Sequence, residues 1–193
     1  MPVQIRTRER LFNAAAELIG ERGFHGTTVD DIVERAGVAK GTVYYHFKSK
    51  EALFDALLNE HLTHLAEAFR EVMYAAPSPA EALPALVRTE LAYIGANQAA
   101  SKLLMSEVWR ADRAWRDTLR VLRERYVSVF REVLEAGVTK GAFRADLDTA
   151  LAASALFGTV ATAALDWLVF SPERSGEEVA RAVEALVMRA VLA

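Results

Sequence analysis

The chain has 193 residues, a formal net charge of −3 and no cysteine, which excludes disulfides and thiolate metal sites and suits a reducing compartment. Five prolines and ten glycines are few for this length, while Ala, Leu, Glu and Arg dominate, so local propensity points to an all-α protein. Charge is uneven: residues 1–50 hold 8 Lys and Arg against 6 Asp and Glu, and the remainder 15 against 20, a basic bias that suggests an anionic partner at the N-terminal end.

Met1-Pro2-Val3-Gln4-Ile5 has no signal-like apolar stretch before the charges of Arg6, Arg8, Glu9 and Arg10, so a cytoplasmic protein is expected. Leu11, Phe12, Ala15, Leu18 and Ile19 recur at helical spacing and predict a first helix over about 7–22, released at Gly23. Thr27 or Thr28 can cap a second helix with the stripe Val29, Ile32, Val33 and Ala36, ended by Gly37. A short segment from Lys40 to Phe47 follows, too brief to be stable unless it packs across its neighbours. Ser49 then caps a long helix striped by Leu53, Leu57, His61, Leu65, Ala68 and Val72, down to the break at Ala76-Pro77-Ser78-Pro79.

Ser78, Pro79 and Glu81 open a helix toward Gly95, with Pro84 expected to kink it or delay its start. A segment near 103–109 follows. A long helix carrying Trp115, Leu119, Leu122, Tyr126, Val129 and Val133 stops near Gly137 or Gly141, and two more run over about 148–170 and 177–192. The uncharged run Thr149 to Leu165 is shorter than the roughly 20 residues of a membrane span and is flanked by Asp148 and Asp166, so it reads as a buried helix. The reading is about nine helices in two domains. Residues 1–48 form a three-helix domain, and the long helix opens a larger helical domain over 49–193.

The segment 28–47 has the two faces a DNA-reading helix needs. Val29, Ile32, Ala36, Val38, Val43 and Phe47 would anchor it, leaving Lys40, Thr42, Tyr44, Tyr45 and His46 outside. Gly41 would admit close backbone approach to a sugar-phosphate chain, and Lys48 and Lys50 add charge at the start of the next helix. If Tyr44 and Tyr45 were core aromatics instead, the lysines would be an ordinary solvated face.

The continuous stretch Thr27-Thr28-Val29-Asp30-Asp31-Ile32-Val33-Glu34-Arg35-Ala36-Gly37-Val38-Ala39-Lys40-Gly41-Thr42-Val43-Tyr44-Tyr45-His46-Phe47-Lys48-Ser49-Lys50-Glu51-Ala52-Leu53 resembles the N-terminal signature of the TetR family of bacterial repressors. With the first helix, the resemblance covers roughly 8–55. It departs at Ala39, where many members carry a capping Ser. Gly141 to Asp148 also looks like that family's entry into its dimerisation helices. The resemblance implies a dimeric, ligand-released repressor of a palindromic double-stranded operator, with Thr27, Thr28, Lys40, Gly41, Thr42, Tyr44, Tyr45, His46 and Lys50 at the DNA.

The resemblance further implies an effector pocket, for which His61, His64, Leu65, Tyr93, Met105, Trp109, Tyr126, Phe130 and Trp167 are candidates, with Met73 and Trp115 behind them. Their apolar and aromatic character suits an apolar or aromatic effector. The arginines at 110, 113, 116, 120, 123 and 125 read either as an ion-paired solvated face or as a grip on an anionic effector such as an acyl-coenzyme A. Ala152, Ala155, Gly158, Thr159, Thr162 and Ala163, with the stripe Val179, Val183, Leu186, Val187 and Ala190, would pack as a homodimer interface or within one chain.

His61 and His64 share a helix face but lack a third ligand, so no metal or cofactor is expected. Phosphate-cradling glycine loops and nucleophile-elbow patterns are missing from the sequence, so no enzyme is expected, and the short, charge-flanked run 149–165 leaves no membrane partner expected. A helical binding module without DNA remains the alternative.

Overall fold

Helices form where apolar stripes lie between capping residues. The computed structural model describes residues 2–102 and 116–192. Its helices are α1 (Pro2–Arg22), α2 (Val29–Ala36), α3 (Lys40–His46), α4 (Lys50–Ala75), α5 (Pro79–Ala96), α6 (Arg116–Thr139), α7 (Thr149–Phe170) and α8 (Gly176–Val191), with further helical residues at 98–102. Among the described residues there is no strand, and the all-α reading holds, with eight helices beside the expected nine or so. The expected segment at 103–109 lies outside the described residues.

Residues 2–61 group with 98–102 and 116–118 in one compact unit, and 62–97 group with 119–192 in the other. The division falls inside α4, which runs unbroken from one unit into the other.

In the first unit α1 packs on α2 and α2 on α3. Leu11, Ala15, Leu18 and Ile19 of α1 are buried with Ile32, Val33, Ala36, Val43 and Phe47, and burial stabilises each large apolar side chain by roughly 1.5–3 kcal/mol over exposure. The chain leaves α1 through Gly23 at φ 75° and α2 through Gly37 at φ 60°, left-handed conformations that glycine adopts without a Cβ penalty. Thr28 is the cap of α2. Its hydroxyl accepts from the Asp31 N–H while the Asp31 carboxylate accepts from the Thr28 N–H, a closed capping box.

In the second unit α5 packs against α7 and α8, which also meet each other. Ser78 caps α5, which continues through Pro84 rather than starting after it. The proline forfeits one helical hydrogen bond, at about 3 kcal/mol, and the complete burial of the neighbouring Leu83, Leu86 and Val87 outweighs that.

Asp148 caps α7, and Ser175 with Glu178 forms a capping box on α8. At the turn into α7, Arg144 makes two 2.7 Å hydrogen bonds to the Asp146 carboxylate and its N–H donates to the Val191 carbonyl. Phe143 folds back against Gly137, where a Cβ would stand 2.0 Å from its ring.

The helix over 149–170 agrees with the expected span of about 148–170 and extends beyond the uncharged run that ends at Leu165. Its 22 residues, with a mean hydropathy of 1.5 in their most apolar window, meet the length and composition of a membrane span. Its inner face, Ala153, Leu156, Val160, Ala161 and Ala164, is nevertheless buried in the unit.

Candidate functional site

α3 is short, and no side chain caps it at Ala39, so its position depends on packing. Val43 and Phe47 seat it in the first unit, and the Phe47 ring lies 6.2 Å from that of Phe12. The opposite face is open: Lys40 and Gly41 are exposed, and Tyr44 is 52% exposed. Among the described residues nothing stands within 4 Å of where a Gly41 Cβ would point. Thr42, Tyr45 and His46 belong to the same helix by their backbone. Arg10 ties the preceding turn to α1 through a 3.0 Å bond to the Gly37 carbonyl.

The remaining residues predicted at the DNA, Thr27, Thr28 and Lys50, lie outside α3. Thr28 is exposed and occupied as the α2 cap. Thr27 is fully buried, its hydroxyl donating to the Gly23 carbonyl at 3.0 Å, so it shapes the turn and presents no surface. Lys50 is half-buried. Its ammonium donates to the carbonyls of Phe24 (2.7 Å) and Thr27 (2.8 Å) and lies 4.2 Å from the centroid of the Phe24 ring. Lys40 pairs with Asp30 at 2.7 Å, and that carboxylate raises the lysine's pKa.

Of the predicted effector residues, Tyr126 and Phe130 come together in the second unit. Both are buried. Phe157 stacks on Tyr126 at 4.3 Å and meets Phe130 edge-on at 6.1 Å, and Phe69 meets Phe130 edge-on at 5.4 Å. Leu65 is buried in this unit and Tyr93 is half-buried. Trp167 is half-buried. Its indole N–H donates to the Arg174 carbonyl at 2.9 Å, and its ring edge lies against the backbone of both Gly95 and Gly176.

In the first unit His61 is buried, with its Nε2 3.5 Å from the Ser101 hydroxyl, whereas His64 is exposed. The two imidazoles therefore do not share one environment. Among the described residues no three metal-ligating side chains cluster. Met105, Trp109 and Trp115 lie outside the described residues. Met73 lines an open recess of about 170 Å³ with Tyr74, Pro77, Glu132 and Lys140, smaller than the roughly 300 Å³ at which small-molecule sites begin.

Glu90 was not among the predicted residues. It is fully buried on α5 beside Leu86, Val87, Leu91 and Ile94, with both carboxyl oxygens lacking a hydrogen bond among the described residues. Burial lifts its pKa well above the ordinary carboxylate range, and the Tyr126 hydroxyl, buried near it, is raised for the same reason and further by Glu90. The signal was present in the sequence as one acid interrupting the apolar stripe Leu83, Val87, Ile94.

The small residues of α7 split between two faces. Ala155 and Thr162 are exposed, and Ala152, Gly158, Thr159 and Ala163 are half-exposed, on an outer side that also carries Leu151 (67% exposed) and Phe170 (76%). On α8 the stripe divides. Val179, Val183 and Val187 are buried within the chain's own unit, while Leu186 and Ala190 face outward.

Comparison with known proteins gives two family matches: bacterial regulatory proteins, tetR family, over residues 11–57, and the tetracyclin repressor-like C-terminal domain over residues 76–191. The HTH-type transcriptional repressor KstR2 of Rhodococcus jostii is 38% identical over 146 residues, covering 75% of this chain and 72% of that protein. The fatty acid degradation regulator FadR from Bacillus halodurans superposes with a TM-score of 0.86 at 26% identity, covering 94% of each chain. The ketosteroid transcriptional regulator KstR2 of Mycobacterium tuberculosis superposes with a TM-score of 0.76 at 27% identity, covering 96% of this chain and 95% of that one.

Proposed function

This chain belongs to the TetR family of bacterial regulatory proteins and is a ligand-responsive, DNA-binding transcriptional repressor of that type, and we propose that it binds a palindromic operator as a homodimer and releases it on taking up a lipophilic effector. The observation that carries the DNA end is the two-faced α3, with Lys40, Gly41 and Tyr44 open above the buried Val43 and Phe47. Thr28, Thr42, Tyr45 and His46 complete the DNA-facing group, while Thr27 and Lys50 hold the turn that presents it. Residues 1–48 act as the DNA-binding domain and 49–193 as the effector-binding and dimerisation domain. The protein works in the cytoplasm, where its operator is, without catalysis of its own, a metal or a membrane.

The outer face of α7, with Leu151, Phe170 and Leu186 of α8 beside it, is the proposed dimer surface, since large exposed apolar side chains grouped with small ones suit close helix packing. Two-fold pairing sets two recognition helices about 34 Å apart, one turn of DNA. A monomer by sedimentation at micromolar concentration would overturn this arrangement.

Relatives are named as a fatty acid degradation regulator and a ketosteroid transcriptional regulator, and the aromatic cluster of Tyr126, Phe130, Phe157 and Phe69 supports an effector with a comparably bulky apolar body here. An acyl-coenzyme A is the version of this ligand that would also use the exposed arginines of α6 at 120, 123 and 125. A ligand that shifts residues 62–75 of α4 passes that displacement along one continuous helix to residues 50–61, and repression is relieved because the two states differ in operator affinity.

The test is a gel shift with DNA flanking the protein's own gene, with and without cell extract, followed by a salt titration of the shift. Each phosphate contact contributes about −0.9 to the log–log slope. A flat slope refutes the DNA reading.

A further inference from the structure

We propose that the Glu90 carboxyl is the polar recognition point of the effector site, taking an uncharged lipophilic ligand by a carbonyl oxygen; the assignment rests on the reading of residues 49–193 as the effector domain. Glu90 sits in the middle of α5 with none of its surface exposed, and neither oxygen has a hydrogen-bond partner among the described residues. Leaving a buried polar group unpaired costs about 1–3 kcal/mol, and an apolar side chain of similar volume would serve the fold better. Such a group in an otherwise apolar interior calls for a reason outside packing.

The surroundings define what it would bind. Glu90 adds to the upward shift of the buried Tyr126 hydroxyl, and Tyr126 in turn belongs to the stacked and edge-on cluster of Phe157, Phe130 and Phe69. That is an aromatic lining with a single strong polar group. Among the described residues the cation acting on Tyr126 is Arg123; it is exposed and its guanidinium is bonded to the Ser154 hydroxyl. With no buried cation paired to it among the described residues, the carboxyl is most stable protonated. A neutral carboxylic acid offers one O–H donor, which complements a ketone, ester or thioester oxygen on a ligand whose remaining surface is hydrocarbon.

The experiment uses the full-length protein with three probes of matched size: methyl nonyl ketone, undecane and nonyltrimethylammonium. Titration calorimetry gives affinities, and thermal melting without ligand gives stability. Wild-type protein is expected to bind the ketone about ten-fold more tightly than the alkane, the worth of one buried hydrogen bond. Glu90→Leu is expected to lose that preference while melting higher than wild type, and Glu90→Gln, which still donates through its amide, to retain part of it.

The assignment is overturned if Glu90→Leu keeps the ketone preference, if it melts lower than wild type, or if the ammonium probe binds best and loses its advantage in Glu90→Gln. If wild-type protein binds none of the three probes, the reading of the domain as a site for lipophiles fails too. Binding that is indifferent to position 90 removes the Glu90 assignment alone.

Discussion

Lys50 offers the sharpest separation between a residue that touches DNA and one that builds the surface that does. Its position in the signature places it among the DNA contacts, yet its ammonium is held by two carbonyls at 2.7 and 2.8 Å and by the face of Phe24. Lys50→Met keeps the aliphatic stem against the ring and removes both bonds. Hydrogen bonds from a charged donor contribute about 1.5–3 kcal/mol each in a protected setting. Lys50 is only half-buried, and water replaces part of what is lost, so a total of about 2 kcal/mol is expected. Urea unfolding should register this as a midpoint lowered by about 1 M, given typical slopes for a protein of this size. Fluorescence anisotropy with a duplex of arbitrary sequence, repeated over a range of salt, reads the second quantity. If Lys50 makes no phosphate contact, the log–log slope stays within about 0.3 of wild type, whereas a lost contact lowers it by about 0.9. Unchanged stability together with a slope reduced by about 0.9 would refute the structural role.

Asp30→Asn should tighten binding to that duplex several-fold and steepen its salt dependence, because Lys40 loses its 2.7 Å partner and a carboxylate is removed from beside the proposed phosphate path; weaker binding in anisotropy would contradict this. Gly137→Ala should destabilise the protein by about 1–3 kcal/mol in urea unfolding, despite the roughly 1 kcal/mol by which alanine favours a helix. The reason is that its Cβ would stand 2.0 Å from the Phe143 ring, so adding Phe143→Leu should recover part of the loss. Burial holds the Glu90 pKa above its ordinary 4.5, so the folded state retains a proton that the unfolded chain gives up. The contribution of Glu90 is whole below about 4.5 and is lost as pH rises toward the folded value, by at most about 1.4 kcal/mol per pH unit. Subtracting the pH–stability profile of Glu90→Gln from that of wild type should isolate this slope, and a difference of zero or opposite sign would show that Glu90 is not a buried neutral acid.

The helix-turn-helix is legible from sequence because each of its determinants is local. Thr28 reaches Asp31 three residues on, Gly37 is where the chain must turn left-handed, and the spacing of Ile32, Val33, Ala36, Val43 and Phe47 already separates the buried face from the open one. Side-chain surroundings are not legible where the deciding partner is distant. Thr27 and Lys50 look like surface residues until the turn after α1 encloses the first and offers carbonyls to the second, 23 and 26 residues before it. Trp167 looks like a ligand-facing aromatic until Gly95 and Gly176, on two other helices, supply the flat surfaces against which its ring rests.

The stripes of α7 and α8 mark a further limit, because periodicity says that a helix has an apolar face but not which body covers it. Val179, Val183 and Val187 are consumed by the chain's own core, while Leu151, Phe170 and Leu186 are left outside, so a single pattern serves both folding and, on the proposed reading, pairing. Glu90 is the converse case. It interrupts the stripe of α5, and within a sequence such an interruption cannot be told from a helix whose face has rotated toward solvent. Only its complete burial without a described partner turns the interruption into a chemical demand. Regions built for packing satisfy their polar groups internally, and departures from that consistency concentrate at functional sites, which is where the proposed ligand contact puts Glu90.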